Sequence, residues 1–314
     1  MPLHGVRQGS RFCIGGAREL QEREKPVKSA PEYSAPRTLE EVLCQLEGAT
    51  ARSVLLAGGT DLMVEFETGR TRPDRVIDIH RVPELRGIEE RSDGLWIGAL
   101  STCSDLLASD LVRRRAAILV AAADEVGAEQ IKNRATIAGN LGTASPAADL
   151  VPVLFALDAR VRLASRGGRR EMAVSDFLCG YRENRRRTDE LIEAVILPPE
   201  VVGERHAFRK VGTRRAQSIA KVVVALSLRL VEGRIHDLRA AAGSVAPTTV
   251  LLSTLARELE GVRPKPATLE AAARLAVRTD VAPIDDVRSS AAYRREVLYR
   301  VCRSMLVELV TDAV

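Results

Sequence analysis

Apolar positions first recur at helical spacing near residue 39. Leu39, Val42, Leu43 and Leu46 share one face, and Thr38-Leu-Glu-Glu41 in front of them predicts an N-cap with a reciprocating glutamate. Ser53–Leu56 is a short β-type run ending in Ala57-Gly-Gly-Thr-Asp61, which predicts a strand, a glycine turn and a fresh helix cap. Residues 76–79 and 95–97 read as further short strands. One long helix is predicted over residues 114–126, followed by a polar, irregular stretch over 129–140. Ala144-Ser-Pro-Ala-Ala-Asp149 then predicts the opening of another helix, with Pro146 in its first turn. Beyond it the texture turns to β. Residues 160–164 and 169–174 flank Gly167-Gly168 as a hairpin, and Leu191–Leu197 is a strand.

In the final third, Val222, Val224, Leu226, Leu228 and Leu230 alternate with Val223, Ala225, Ser227, Arg229 and Val231. That period of two predicts a half-buried strand with one apolar face. Glu232-Gly233 turns it into a strand over 235–242, and helices are predicted over 248–260, 268–278 and 291–310. Residues 1–32 mix Gly, Arg, Glu, Lys and Pro without period and read as a flexible leader. Pro198-Pro199 marks the clearest boundary. The expected organisation is a leader (1–32), a first domain (33–199) and a C-terminal domain (200–314) with an antiparallel sheet and helices. The fold class is α+β.

Composition narrows the chemistry. With 314 residues, 46% of them apolar, the chain is long enough to bury a substantial core. The net charge is +5, but only six of the 47 basic residues are Lys, acids interleave with them, and aromatics are 3% of the chain. Nucleic acid is therefore not the expected partner. Cys13, Cys44, Cys103, Cys179 and Cys302 are dispersed, as are His4, His80, His206 and His236, so no spacing suits a zinc site or an iron–sulfur cluster. The odd cysteine count argues against a secreted disulfide framework. Apolar runs are too short for a membrane span and no signal-type segment is evident, so a soluble cytoplasmic protein is expected. No nucleophile–base grouping or acid/base carboxylate pair stands out.

Two segments carry candidate chemistry. In Leu55-Leu-Ala-Gly-Gly-Thr-Asp61, adjacent glycines between a strand and a helix let backbone N–H groups approach an anion at the positive end of a helix dipole. The loop is neither the Gly-x-Gly-x-x-Gly fingerprint nor a Walker loop, and taken alone it reads equally as a tight turn. In Ala135-Thr-Ile-Ala-Gly-Asn140, continuing to Asp149, Gly139 permits close backbone approach. Thr136, Asn140 and Asp149 there offer polar groups for phosphate, ribose or a heterocycle, and an ordered capping loop is the equal alternative. Two such loops suit a long ligand with a central diphosphate.

Leu-Ala-Gly-Gly-Thr-Asp (56–61), Ile-Lys-Asn-Arg-Ala-Thr-Ile-Ala-Gly-Asn-Leu (131–141) and Ala-Ser-Pro-Ala-Ala-Asp-Leu-Val-Pro (144–152) resemble the FAD-binding subunit of the molybdenum hydroxylases. Three later stretches, residues 165–170, 177–182 and 208–222, are most similar to the xanthine dehydrogenase branch. The resemblance runs in order from residue 33 to the C-terminus. It implies a two-subdomain FAD-binding domain followed by a C-terminal flavoprotein domain. Implied FAD contacts are Val54, Leu55, Leu56, Ala57, Gly58, Gly59, Thr60 and Asp61 in the first loop. In the second they are Ala135, Thr136, Ile137, Gly139, Asn140 and Asp149. Ile192 matches an apolar residue lining the flavin pocket. Lys210 matches a basic residue near the isoalloxazine; a solvated strand lysine is its other reading, with Arg209 then filling the role.

Three departures stand out. Ala138 replaces the first glycine of the usual Gly-Gly-Asn, which is tolerable only if φ there is negative. The aromatic that stacks on the ring in animal xanthine dehydrogenases falls near Val126. After Gly180-Tyr181, Asn184 and Arg185-Arg-Arg187 stand where Thr and Leu are frequent, which points to an altered acceptor side of the flavin. The resemblance implies an electron-transfer subunit. It would receive electrons from [2Fe–2S] clusters on a partner, work beside a molybdopterin subunit in a heterotrimer, and deliver electrons to NAD or another acceptor. A nucleotide- or flavin-binding regulatory protein of the same fold, or a stand-alone flavoenzyme, are the alternatives.

Overall fold

A computed structural model of the chain describes residues 30–199, 204–214 and 217–311. All but the last three residues of the predicted leader lie outside the described residues.

The chain begins with a small parallel sheet. β1 (Glu32–Ser34), α1 (Leu39–Leu46), β2 (Ser53–Leu56), α2 (Leu62–Glu67) and β3 (Arg75–Asp78) build it in the strand order β1-β3-β2. The Val42, Leu43 and Leu46 face of α1 is buried, as its period predicts. Thr38 Oγ1 accepts from Glu41 N at 3.2 Å, but the Glu41 carboxylate accepts from Arg37 N at 2.7 Å, one residue upstream of the expected partner.

β4 (Ile88–Arg91) and β5 (Gly94–Gly98) lead into α3 (Cys103–Ala108), α4 (Asp110–Arg115) and α5 (Ala117–Asp124). The single helix predicted over 114–126 is therefore two. Ala116 leaves helical space at φ −152° and ψ 58°, and the redirected α5 buries Ile118, Leu119, Ala122 and Ala123 against α3 and α4. The stretch expected to be irregular holds α6 (Glu129–Lys132) and α7 (Ile137–Gly142). α8 (Val151–Ala156) starts later than predicted, with Pro152 rather than Pro146 in its first turn. Residues 144–149 stay a loop because tertiary bonds claim them: Ser244 N donates to Pro146 O at 2.7 Å, and Asp149 pairs with Lys210.

β6 (Arg160–Ser165) and β7 (Gly168–Ala173) form the predicted hairpin. They are followed by α9 (Val174–Phe177), β8 (Leu178–Gly180), β9 (Glu183–Asn184) and β10 (Leu191–Leu197). A five-stranded antiparallel sheet results, ordered β4-β5-β10-β6-β7. One face packs into the main core. On the other, Arg91 stacks over Trp96 at 3.6 Å from the ring centroid.

β11 (Arg205–Val211), β12 (Val222–Val231), β13 (Arg234–Gly243) and β14 (Val250–Leu251) form a four-stranded antiparallel sheet in that order. α10 (Ser253–Leu259), α11 (Pro266–Thr279) and α12 (Ala291–Val310) follow. The helix predicted from 248 begins at Ser253, because Val250 and Leu251 pair with β13 instead. β12 also departs from the half-buried strand that its alternation predicted: residues 222–228 are buried on both faces. Val222, Val224, Leu226 and Leu228 join the core built with α10–α12, whereas Val223 and Ala225, with Phe208 and Ala241, join the main core beside α5 and α8. The sheet is a middle layer. Among the described residues no helix is long and apolar enough to cross a membrane.

Candidate functional site

The end of β2, the start of α2, α7 and the loop at 143–149 enclose a cleft of about 700 Å³. The turn from β2 to α2 depends on two glycines. Gly59 has φ +78°, in the left-handed region. A Cβ on Gly58 would lie 1.9 Å from the carbonyl oxygen of Arg134, so the first loop presses directly on the residue that precedes Ala135. Among the described hydrogen bonds, the N–H groups of Gly58, Gly59, Thr60 and Asp61 have no acceptor, and the Asp61 side chain does not cap α2. The result is a short run of free donors at a helix start. Arg182 holds the flank of this loop, ion-paired to Glu65 and 3.9 Å from Asp61 Oδ2.

The second segment is built differently. Ile137 N donates to Ser101 O at 3.0 Å, Ala138 N to Ala99 O at 3.3 Å, and Gly139 N to Thr136 Oγ1 at 3.0 Å. The amides at the start of α7 are thus committed, and this segment presents small side chains and side-chain acceptors to the cleft. Ala138 lies inside α7, so the replaced glycine costs no backbone strain. Asn140 Oδ1 and Asp149 Oδ1 are both buried and have no hydrogen-bond partner. Asp149 Oδ2 accepts from Lys210 Nζ at 2.7 Å, and Lys210 also donates to Glu125 O at 2.8 Å. Burial pushes the Asp149 carboxyl up to about 6, against the opposing pull of the Lys210 ammonium.

Val54, Leu55, Ala57, Gly58, Gly59, Thr60, Asp61, Ala135, Thr136, Gly139, Asn140, Asp149 and Ile192 all line this one cleft. Leu56, Ile137 and Lys210 do not. The carbonyl of Leu56 is tied to Ile79 N, Ile137 is fully buried in the core, and Lys210 stands behind Asp149 with its side chain 4% exposed. Sequence reasoning missed Arg182 and Gly142 as lining residues; of the Arg185–Arg187 run it had flagged, Arg186 alone enters the cleft. Val126 lines the wall where the resemblance had an aromatic.

This donor set tests the expected cofactor. Buried acceptors without donors are costly unless a ligand supplies the hydrogens, and free backbone N–H groups call for an anion. A dinucleotide carrying a diphosphate, hydroxyls and ring N–H groups supplies both. The residues present fit FAD.

Residues 26–200 match the family described as the FAD binding domain in molybdopterin dehydrogenase, and residues 206–310 match the CO dehydrogenase flavoprotein C-terminal domain. The nicotinate dehydrogenase FAD-subunit of Eubacterium barkeri is 37% identical over 195 residues, which is 61% of this chain and 66% of that protein. The xanthine dehydrogenase FAD-binding subunit of Escherichia coli O157:H7 is 30% identical over 285 residues, covering 90% of this chain and 96% of its own. Among solved structures, a chain of the carbon monoxide dehydrogenase of Hydrogenophaga pseudoflava, in a form lacking the Mo-pyranopterin moiety of its cofactor, superposes with a TM-score of 0.86. Identity there is 27%, and the match covers 91% of this chain and 98% of that one.

Proposed function

Since the chain belongs to the FAD-binding flavoproteins of the molybdenum hydroxylases, and is thus an FAD-dependent oxidoreductase subunit, we propose that it carries electrons within a larger complex. In this reading it receives them from [2Fe–2S] clusters on a partner subunit. A molybdopterin subunit of the same assembly oxidises the substrate, and the electrons pass on to NAD or another acceptor. A cytoplasmic dimer of heterotrimers is the expected form.

The observation that supports this most is the pairing of free donors and orphaned acceptors across one cleft. The N–H groups of residues 58–61 would hold the diphosphate, with Gly58 and Gly59 keeping side-chain bulk away from it. Asn140 and Asp149 would accept from ribose or ring N–H and O–H groups, and Lys210 would keep the Asp149 carboxylate ionised at neutral pH. Ile192 and Val126 would flank the ring and exclude water. Bound FAD supplies the exchange of single electrons and electron pairs; the protein supplies position and electrostatics.

Neither loop contains a His or Cys, and Cys179 is exposed outside the cleft lining, so the flavin is expected to be held without a covalent bond. Acid precipitation should release it into the supernatant. A yellow washed pellet would overturn the non-covalent reading. The electron-transfer role is tested by expressing the chain alone and with candidate cluster and molybdenum subunits from its operon. Substrate-dependent flavin reduction is expected only in the full set, and substrate oxidation by the isolated chain would refute the subunit reading.

A further inference from the structure

The connection from β9 to β10 carries three consecutive arginines, and they are not equivalent. Arg185 and Arg187 are exposed, whereas Arg186 turns into the cleft beside Leu191 and Ile192. Its place is fixed by a chain of contacts. Arg186 N donates to Asn184 Oδ1 at 3.1 Å, Asn184 Nδ2 donates to Gly142 O at 2.9 Å, and a Cβ on Gly142 would lie 3.5 Å from Ile192 Cδ1. The guanidinium donates through Nη1 to the carbonyls of Arg187 at 3.1 Å and Glu190 at 2.7 Å.

No carboxylate among the described residues pairs with it. The Glu190 carboxylate is taken by Arg170 Nε and Nη2, at 2.6 and 2.9 Å, and by Arg187 N at 2.7 Å; Asp189 is taken by Arg187. The other cations near the cleft differ. Lys210 is neutralised by Asp149 behind the wall, Arg182 is paired with Glu65, and Arg70 is exposed. Desolvation also pulls the Arg186 guanidinium below its ordinary range, against the opposing pull of the Glu190 and Asp189 carboxylates, both of which are engaged by other arginines. A positive charge in that condition is costly unless something in the cleft bears negative charge.

Leu191, Ile192 and Gly142 line the cleft beside Arg186, and the Ile192 side chain packs toward the bare face of Gly142, which gives a planar ring an apolar wall. The free N–H donors for the diphosphate lie at the first loop. Resting on the FAD reading above, we propose that Arg186 faces the isoalloxazine ring and stabilises the negative charge that the ring acquires on reduction. In that step oxidised flavin takes up two electrons, one at a time from an iron–sulfur donor, and one proton from solvent at N5. The product is a singly anionic reduced flavin with its charge over N1 and the C2 carbonyl. A fixed cation in a water-poor pocket favours that product over the neutral oxidised ring. The same position filled by an apolar side chain would leave the flavin harder to reduce.

The test uses the full-length FAD-loaded chain, with dithionite as the reductant and a reference dye. The readouts are the flavin midpoint potential and the FAD dissociation constant for wild type, R186Q and R186K. R186Q retains a donor for the two carbonyls but removes the charge. Its preference for reduced over oxidised flavin should fall about tenfold, a shift of about 30 mV to more negative potential for a two-electron couple. R186K should stay near wild type. Equal potentials in the wild type and both variants, with or without a change in FAD affinity, would overturn the proposal and leave Arg186 a pin for its loop. R186L serves in place of R186Q if that variant does not fold, with the same expectation. A wild-type chain that takes up no FAD would overturn the flavin reading itself, a result distinct from unchanged potentials.

Discussion

The two glycine-bearing segments meet where Gly58 faces Arg134 and Ala135, yet they are held by opposite means. The first, residues 57–61, keeps its backbone donors free, and its shape is set by sterics: φ +78° at Gly59, and at Gly58 no room for a Cβ against Arg134 O. The second, residues 135–149, has its amides at 137–139 committed to Ser101, Ala99 and Thr136 and leaves side-chain acceptors unpaired; its far end is tied to the C-terminal part of the chain by Lys210 and Ser244. A chain can therefore prepare a cleft for a bipolar ligand by leaving donors bare on one side and acceptors bare on the other. The glycines alone do not reveal which side is which.

Lys210→Met breaks the comparison most severely. It strands a buried carboxylate, and removal of one partner from such a pair costs roughly 3–5 kcal/mol. Urea unfolding at pH 8 should register that loss. With the ammonium gone, the Asp149 carboxyl, already raised to about 6, rises further. A carboxyl whose folded pKa exceeds its unfolded one destabilises when ionised, and the penalty is relieved as pH falls through the folded value. The deficit of Lys210→Met should thus shrink between pH 8 and pH 5. A pH-independent deficit would show that the second segment is held by packing rather than charge.

Gly58→Val should come next, because the new Cβ meets backbone and not a movable side chain. Overpacking of this kind costs roughly 1–3 kcal/mol, and separation of the loops should lower FAD affinity by about 100-fold or more. Its stability loss should be the same at pH 8 and pH 5, in contrast to the lysine variant.

How much of this was legible beforehand depends on whether the determinant was local. The hairpin at Gly167-Gly168, the strand Leu191–Leu197, the apolar face of α1 and the helix Ala291–Val310 all follow from period and turn chemistry, and all are present. The break at Ala116 carries no Gly or Pro to announce it; tertiary packing of α5 imposes it. The loop at 144–149 resembled a helix start because Ser-Pro is a good local signal, but Ser244, 98 residues beyond Pro146, and Lys210, 61 residues beyond Asp149, claim its polar groups. Most loop residues of the cleft were readable as motifs. Arg182 was not, since its placement depends on Glu65 far away in sequence, and neither was the tie from Lys210 to Asp149 and Glu125, which only the fold brings together.

A milder probe of the first loop is Gly59→Val. Holding a β-branched residue in the left-handed region costs about 1–2 kcal/mol, so thermal stability should fall modestly while FAD occupancy falls much further. Normal flavin content in that variant would reduce the first loop to a plain turn. The smallest effect is expected for Gly139→Ala. Its methyl would sit 2.9 Å from Thr136 Oγ1, so the cost is at most the cap of α7, about 1 kcal/mol, with little change in FAD binding. A large loss of flavin there would mean that ligand approaches the second segment as closely as the first.

The middle-layer sheet has a further consequence. Because β12 is buried on both faces over residues 222–228, its amides have no route to solvent through local fraying, and their exchange with deuterium waits for opening of the whole unit. β11 sends Lys210 to the cleft wall, so occupancy of the cleft is linked to that opening. A ligand that binds only the folded chain then slows exchange deep in a sheet it never touches, by the factor its concentration bears to its dissociation constant.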